Sequence, residues 1–228
     1  MALPPATRHA LLRGESKAAL SSLSPAPRVI LGSQSKIRRE LMSELGALHG
    51  FHFTTLAPRI DEKAIRFNDP VKLVAALATA KAAALLPILE ISEEASAPTL
   101  LITCDQVIEH RGRILEKPEN KHEARSNITS YSKHPARTVA SILCTNVTTG
   151  YACEGVDISE VYFNEFPEEV LEKLLEDDEI YHCAGGLCVE HPLVLPLVKE
   201  IVGTIDSVQG LPKALVERLM REAYCNGK

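Results

Sequence analysis

Two hydroxyls and three cations stand together in VILGSQSKIRRELM, residues 29–42, a combination suited to binding phosphates. Val29, Ile30 and Leu31 read as an apolar strand, and Gly32 permits a tight turn. Ser33 or Ser35 is a natural N-cap for a helix carrying Leu41, Met42 and Leu45. The first turn of such a helix presents backbone N–H groups. Lys36, Arg38 and Arg39 add positive charge beside them, so amides, hydroxyls and cations converge as a polyphosphate requires. The competing reading is a capped helix with a solvated basic first turn. Against it, three cations at the positive end of a helix dipole are unfavourable unless something offsets them.

Five further charged residues are candidates to act on a bound phosphate. Asp105 closes the apolar run LLITC, the usual place for a carboxylate at an α/β site, although a turn-forming Asp would look the same. Asp61 and Glu62 are adjacent, so on an extended segment they face opposite ways and only one readily serves a site. Lys81 lies in LVAALATAKAAALL and must emerge from an almost wholly apolar helix, which calls for a partner. Lys117 precedes Pro118, which biases it to extended backbone.

The elements that must position these residues alternate along the chain. Strands are expected at 29–32, near 51–56 and at 99–104, with helices at 36–46 and 70–86 and a surface loop at 91–99. A hairpin at 107–115 turns on Arg111 and Gly112, and a helix follows at 120–131. Strands at 137–148 and 151–163, an acidic helix opening at Pro167, a short strand EIYHCA and a final helix from Pro212 to about Ala223 complete the pattern. A mixed α/β sheet is the expected fold class.

Six ordered motifs carry a resemblance. SxSxxRRxLM at residues 33–42, the DE pair Asp61–Glu62, ALATAKAAAL with Lys81, LLITCDQV with Asp105, RGRILEKP with Lys117, and HCAGG followed by VQGLP resemble the Maf family of nucleotide pyrophosphatases. The resemblance implies an elongated, two-lobed α/β fold around a central mixed sheet, with the nucleotide in a cleft. It implies cleavage of a nucleoside triphosphate to monophosphate and pyrophosphate, with Asp105 as general base and Lys81 and Lys117 on phosphate oxygens. Glu62 is the carboxylate it selects. Glu62 and Asp105 would hold a divalent cation, Mg2+ or alternatively Mn2+, because hard cations favour carboxylate oxygens. Ser33, Ser35, Arg38 and Arg39 would contact phosphates, with forked binding by Arg38 or Arg39. A homodimer is the family-level expectation, and cysteines read as free thiols in a reducing compartment are consistent with the cytoplasm.

Departures from the commonest form of the family concern selectivity. The SPRR sequence is Ser35, Lys36, Ile37 and Arg38 here, a DT pair becomes Asp105–Gln106, the lysine before AG becomes Cys183, and a downstream glutamine becomes Glu190. DQ, HCAG and a downstream glutamate together resemble the 7-methyl-GTP pyrophosphatase subgroup. Chemistry agrees with that grouping. A carboxylate at 190 can accept from guanine N1–H and its exocyclic amine, whereas glutamine suits the imide edge of thymine or uracil. Ile37 would offer the ring an apolar contact. A dTTP- or UTP-preferring enzyme, or a nucleotide-sensing protein with a role in division, are the alternative expectations. Retention of Asp105 favours an enzyme, since a sensor needs no base.

Composition is consistent with these readings. With 228 residues, 45% hydrophobic and 24% charged, the chain can bury a sizeable core, and a net charge of −5 argues against a duplex nucleic acid partner. No apolar run is expected to be long enough for a membrane span. Six cysteines show neither CxxC pairs nor zinc-ligand spacing, so free thiols are expected, and His134, His182 and His191 are read as structural. Residues 1–28, rich in proline, serine and basic residues, read as a disordered or loosely docked extension before a domain at 29–224.

Overall fold

A computed structural model describes residues 20–89 and 97–226. Residues 1–19 of the expected extension, and most of the loop expected at 91–99, lie outside them. Among the described residues, seven strands form one mixed sheet: β1 (Arg28–Gly32), β2 (Phe53–Thr55), β3 (Thr99–His110), β4 (Arg113–Leu115), β5 (Ala136–Asn146), β6 (Ala152–Phe163) and β7 (Val198–Val202). The order is β2-β1-β3-β5-β6-β7, with β4 paired to β3. β1 is parallel to β2 and β3, whereas β4 and β7 pair antiparallel with β3 and β6. The helices are α1 (Lys36–His49), α2 (Pro70–Leu85), α3 (Lys121–Tyr131), α4 (Glu168–Leu175), α5 (Ile205–Val208) and α6 (Lys213–Asn226).

Two expected elements differ. The strand at 99–104 and the first arm of the hairpin are one strand, β3, which changes partner along its length. β1 pairs with Thr99 to Thr103 and β4 with Ile108 to His110. Asp105 is therefore within a strand, just beyond the point where its parallel neighbour ends at Gly32. The EIYHCA segment is a 3-10 turn over Asp178–His182 and not a strand, because the Asp177 carboxylate caps the Glu179 N–H and starts a helical turn.

The described residues divide into two compact units, with β3, β5 and β6 each contributing a part to both. The first unit holds residues 20–105, 140–157 and 210–226. Strand alternation sends Val29, Leu31, Leu100, Ile102, Ile142 and Cys144 to one face, against Leu41 and Leu45 of α1 and Leu219 and Met220 of α6. Ile30, Leu101 and Leu143 go to the other face, against Ala78, Ala82 and Leu85 of α2. Part of the sequence before β1 is built into this unit: Leu20 is buried in the first cluster and the Tyr224 hydroxyl donates to the Pro25 carbonyl at 3.0 Å.

The helical stretch Pro70–Ile88 is, by length and composition, apolar enough to cross a membrane, contrary to the expectation that no run would be. Its apolar residues have another use: Leu73, Val74, Leu77, Ala78, Ala82 and Leu85 are buried within the protein.

The second unit holds residues 106–139 and 158–209. Its core gathers Ile108 from β3, Ile128 and Tyr131 from α3, Val161 and Phe163 from β6, and Leu171 and Leu174 from α4, with Ile180, Val189 and Val194 from the irregular segment that follows.

Candidate active site

In the first unit, strand parity and helix period meet at one charged cluster. Leu101, Thr103 and Asp105 alternate onto the face of β3 that α2 covers, while Ala78, Lys81, Ala82 and Leu85 share one face of that helix at three- and four-residue spacing. The Thr103 hydroxyl donates to the Ala78 carbonyl at 2.8 Å, fixing the helix against the strand. One turn further on, Lys81 Nζ lies 2.5 Å from Asp105 Oδ1, 3.3 Å from the Cys104 carbonyl and 3.0 Å from Glu62 Oε1. Three acceptors thus match the three protons of the ammonium. Burial of such a charge is tolerable only because it is paired.

Glu62 and Asp61 are separated by structure rather than by parity along an extended segment. Asp61 Oδ1 accepts the Lys63 N–H and caps a 3-10 turn over Glu62–Ala64, which leaves Glu62 to reach Lys81. The Glu62 side chain is 52% exposed, against 7% for Lys81 and 11% for Asp105, so the cluster opens to solvent on the Glu62 side. Two carboxylates on one ammonium form a hard oxygen donor set, the chemistry that suits a divalent cation such as magnesium.

At the end of the strand that pairs with β3, Ser33 and Ser35 order the turn after β1. Ser33 Oγ accepts the Ser35 N–H at 3.2 Å, and Ser35 Oγ accepts the Arg38 N–H at 3.3 Å as the N-cap of α1. Accepting uses a lone pair, so each hydroxyl keeps a proton to donate. Arg38 is half-buried and holds backbone: its Nε donates to the Gly210 carbonyl at 3.0 Å, and a terminal nitrogen lies 3.4 Å from the Cys104 carbonyl. The remaining guanidinium protons are available for an anion. Arg39 is exposed, Lys36 pairs loosely with Glu40, and Ile37 packs against the α1–α6 side of the core.

The second unit holds Gln106, Lys117 and Glu190. Gln106 follows Asp105 and therefore faces the opposite side of β3. Its amide nitrogen donates to the Ser207 and Val208 carbonyls at 3.0 and 3.2 Å, and because both partners only accept, the amide orientation is settled and Oε1 points elsewhere. Lys117 is exposed next to buried Pro118, and Glu190 is half-buried. Between them in the sequence lies the turn Ala184–Gly186. Gly185 and Gly186 have φ of 61° and 70°, and a Cβ on Gly185 would collide with the Tyr131 hydroxyl. That hydroxyl donates to the Gly185 carbonyl at 2.8 Å, and the Gly185 N–H donates to the Glu116 carbonyl at 2.7 Å. Burial pushes the Tyr131 phenol far above its usual pKa, so it stays a donor.

Cysteine pairing departs from the expectation of free thiols. Cys183 and Cys188 form a disulfide around this turn, while Cys104, Cys144 and Cys153 are free and buried and Cys225 is free and exposed. A bond between positions five apart has no CxxC signature and depends on the reversal at Gly185. Asp177, Glu179 and His191 also bring potential ligand atoms within 4.8 Å of one another. The hydrogen bonds explain that cluster structurally: His191 Nδ1 accepts the Leu193 N–H, which places the proton on Nε2, 3.2 Å from Asp177. The Asp177 carboxyl is held below its usual range by the Glu179 N–H and by His191.

Several contributors gave little sign of themselves beforehand. The Cys104 carbonyl receives both Lys81 and Arg38, and a backbone acceptor has no residue signature. Tyr131 could have been noticed as an aromatic closing a polar helix, but its partner is a glycine carbonyl 54 positions away.

Comparison with known proteins gives a consistent grouping. The family model for Maf-like proteins matches residues 28–223. A 7-methyl-GTP pyrophosphatase of Dictyostelium discoideum is 39% identical over 195 residues, covering 85% of this chain and 96% of the relative. One from Xanthomonas campestris is 32% identical over 86% of this chain and 96% of its own length. A nucleoside triphosphate pyrophosphatase of Prochlorococcus marinus is 28% identical over 80% of this chain and 89% of its own.

Proposed function

This chain belongs to the Maf-like protein family, and we propose that it hydrolyses the anhydride between the α- and β-phosphates of a 7-methylated guanosine triphosphate, releasing the monophosphate and pyrophosphate. The observation that carries the reading is the buried Lys81 ammonium held between Asp105 and Glu62. A strand-borne carboxylate with one oxygen fixed by a lysine is oriented to take a proton from water through its other oxygen. A new phosphorus–oxygen bond forms, the bridging bond breaks, and pyrophosphate leaves with the electron pair. Ser33, Ser35, Arg38 and Arg39 supply hydroxyl and guanidinium donors for phosphate oxygens, and Lys117 a further point charge. Glu62 and Asp105 would hold magnesium, or manganese in its place; the cation would offset phosphate charge.

Selectivity is assigned to Glu190 and Gln106 of the second unit and to Ile37 of the first. Glu190 accepts from the guanine N1–H and exocyclic amine and balances the positive charge of a methylated ring. Gln106 keeps Oε1 as an acceptor while its nitrogen holds backbone, and Ile37 offers apolar contact. The similarity to relatives named for 7-methyl-GTP supports this choice over dTTP or UTP. A cytoplasmic homodimer, acting on nucleotides without a nucleic acid or membrane partner, completes the proposal.

A panel of 7-methyl-GTP, GTP, dTTP and UTP with magnesium tests it, scoring pyrophosphate against orthophosphate. Pyrophosphate release fastest from 7-methyl-GTP and abolished by chelator is the expected result. Orthophosphate alone, or full activity in chelator, overturns the mechanism. Preference for dTTP or UTP overturns the selectivity, and tight binding without turnover points to the sensing alternative.

A further inference from the structure

We propose that Cys183 and Cys188 form a reversible thiol–disulfide site that controls the order of the turn leading to Glu190, with a low-molecular-weight disulfide such as oxidised glutathione as the oxidant. The two residues are bonded with their Cα atoms 6.0 Å apart, within the ordinary range for a disulfide. Their roles differ by burial: Cys183 is half-buried and can meet a small reagent, whereas Cys188 is 1% exposed. Access thus selects Cys183 as the sulfur that first exchanges and Cys188 as the one that resolves.

A folding staple is the weaker account of this bond. The ring closes over a separation of only five residues, so it restricts little of the unfolded chain. The second unit already has an extensive apolar core around Tyr131, Phe163 and Leu174. The reduced state is also accommodated, since Cys188 Sγ lies 3.6 Å from the Glu179 carbonyl, which would accept its thiol proton.

What the bond encloses gives it a consequence. Inside the ring, Gly185 and Gly186 adopt positive φ, and Gly185 is tied to Tyr131 and to Glu116, the residue before Lys117. Glu190 follows two positions after Cys188. The disulfide therefore joins a hydrogen-bonded turn to the segment carrying the base-recognising carboxylate, and reduction removes that covalent tie and leaves hydrogen bonds and packing to hold the turn. In the oxidation, the Cys183 thiolate attacks one glutathione sulfur, the glutathione disulfide breaks and one glutathione leaves. The Cys188 thiolate then attacks Cys183 sulfur and releases the second. Two protein thiols lose two electrons, one glutathione disulfide gains them, and the two protons end on the two released glutathione thiols.

Only the kinetic arm rests on the base-recognition reading above. Full-length protein is equilibrated in glutathione buffers of graded ratio, alkylated and peptide-mapped, and each sample is assayed with 7-methyl-GTP. Hydrogen exchange over residues 184–190 is followed in parallel. The pair is expected to titrate between both states while Cys104 and Cys144 stay reduced. Reduction should raise KM about fivefold with kcat within about twofold, the signature of lost preorganisation. Cys183→Ser and Cys188→Ala should each fix the higher KM and remove the redox response. A bond that survives excess dithiothreitol in the native protein, or that never forms in oxidised glutathione, overturns the proposal. Reversible bonding that leaves both KM and exchange unchanged overturns it equally. Should the protein hydrolyse no nucleotide, mapping and exchange still decide the redox site, while the pyrophosphatase reading alone falls.

Discussion

The Glu62–Lys81–Asp105 cluster and the turn from Cys183 to Glu190 are built in opposite ways. In the first, a long helix and a long strand carry Lys81 and Asp105, their periods bring the charges together and packed Ala and Leu neighbours hold the register, while Glu62 joins them from a 3-10 turn. The second has almost no regular structure and is held by two positive-φ glycines, hydrogen bonds to Gly185 and a disulfide. Lys81 and Asp105, the groups proposed to act on every nucleotide, sit on regular elements, where position is costly to alter. The carboxylate proposed for base choice follows a turn whose geometry hangs on a few single residues, where it can be altered piecemeal.

The largest effect should come from the rigid cluster. Asp105→Asn keeps the shape of the side chain but cannot take a proton, so turnover should fall by at least about 10²-fold while nucleotide still binds. Near-normal turnover with intact folding would break the comparison by moving the base elsewhere. Next comes the scaffold of the turn. Gly185→Ala forces a Cβ onto the Tyr131 hydroxyl in a left-handed conformation, and unfolding by urea should show a loss of about 2 kcal/mol. A change below about 0.5 kcal/mol would show that the turn relaxes freely and is not the fixed device inferred from its hydrogen bonds.

Selectivity should respond less than chemistry. Glu190→Gln is expected to lower kcat/KM for 7-methyl-GTP about tenfold, somewhat under one charged hydrogen bond of about 1.5 to 3 kcal/mol, and to change dTTP and UTP much less. Equal losses on all bases would place Glu190 with the fold or the phosphates. The smallest effect concerns pH. His110 donates from Nδ1 to the Pro135 carbonyl and faces the Ser130 hydroxyl through Nε2, and burial lowers its pKa below the usual imidazole value. A depressed folded-state pKa means the unfolded chain binds the proton first. Its stabilising contribution is therefore present above about pH 6.5 and is lost as pH falls through the lower folded value. Acidification through that window should cost a Tm of no more than about 3 °C, and His110→Asn should remove that part of the dependence. An unchanged slope in the variant would assign it to other groups.

Much of the fold was legible because it depends on local period. The apolar runs VILG and LLITC and the serine cap of α1 each act within a few residues, so the principal strands and helices fall close to where their patterns place them. The solitary lysine in an apolar helix also announced its need for a partner. The irregular segment after α4 was misread because its conformation comes from one carboxylate cap and a cysteine pair, neither of which has a period.

By itself the amino-acid order determined which side chains were available and which faces they shared: Asp105 with Leu101 and Thr103, Lys81 with Ala78 and Ala82. Only the tertiary structure decided that those two faces meet and join residues 24 apart, that Glu62 rather than Asp61 reaches them, and that Cys183 closes on Cys188. The physical reason is one of range. Backbone sterics and periodicity act over a single turn or pleat, whereas an ion pair, a carbonyl acceptor or a disulfide partner exists only after packed elements have brought distant stretches within a few ångströms.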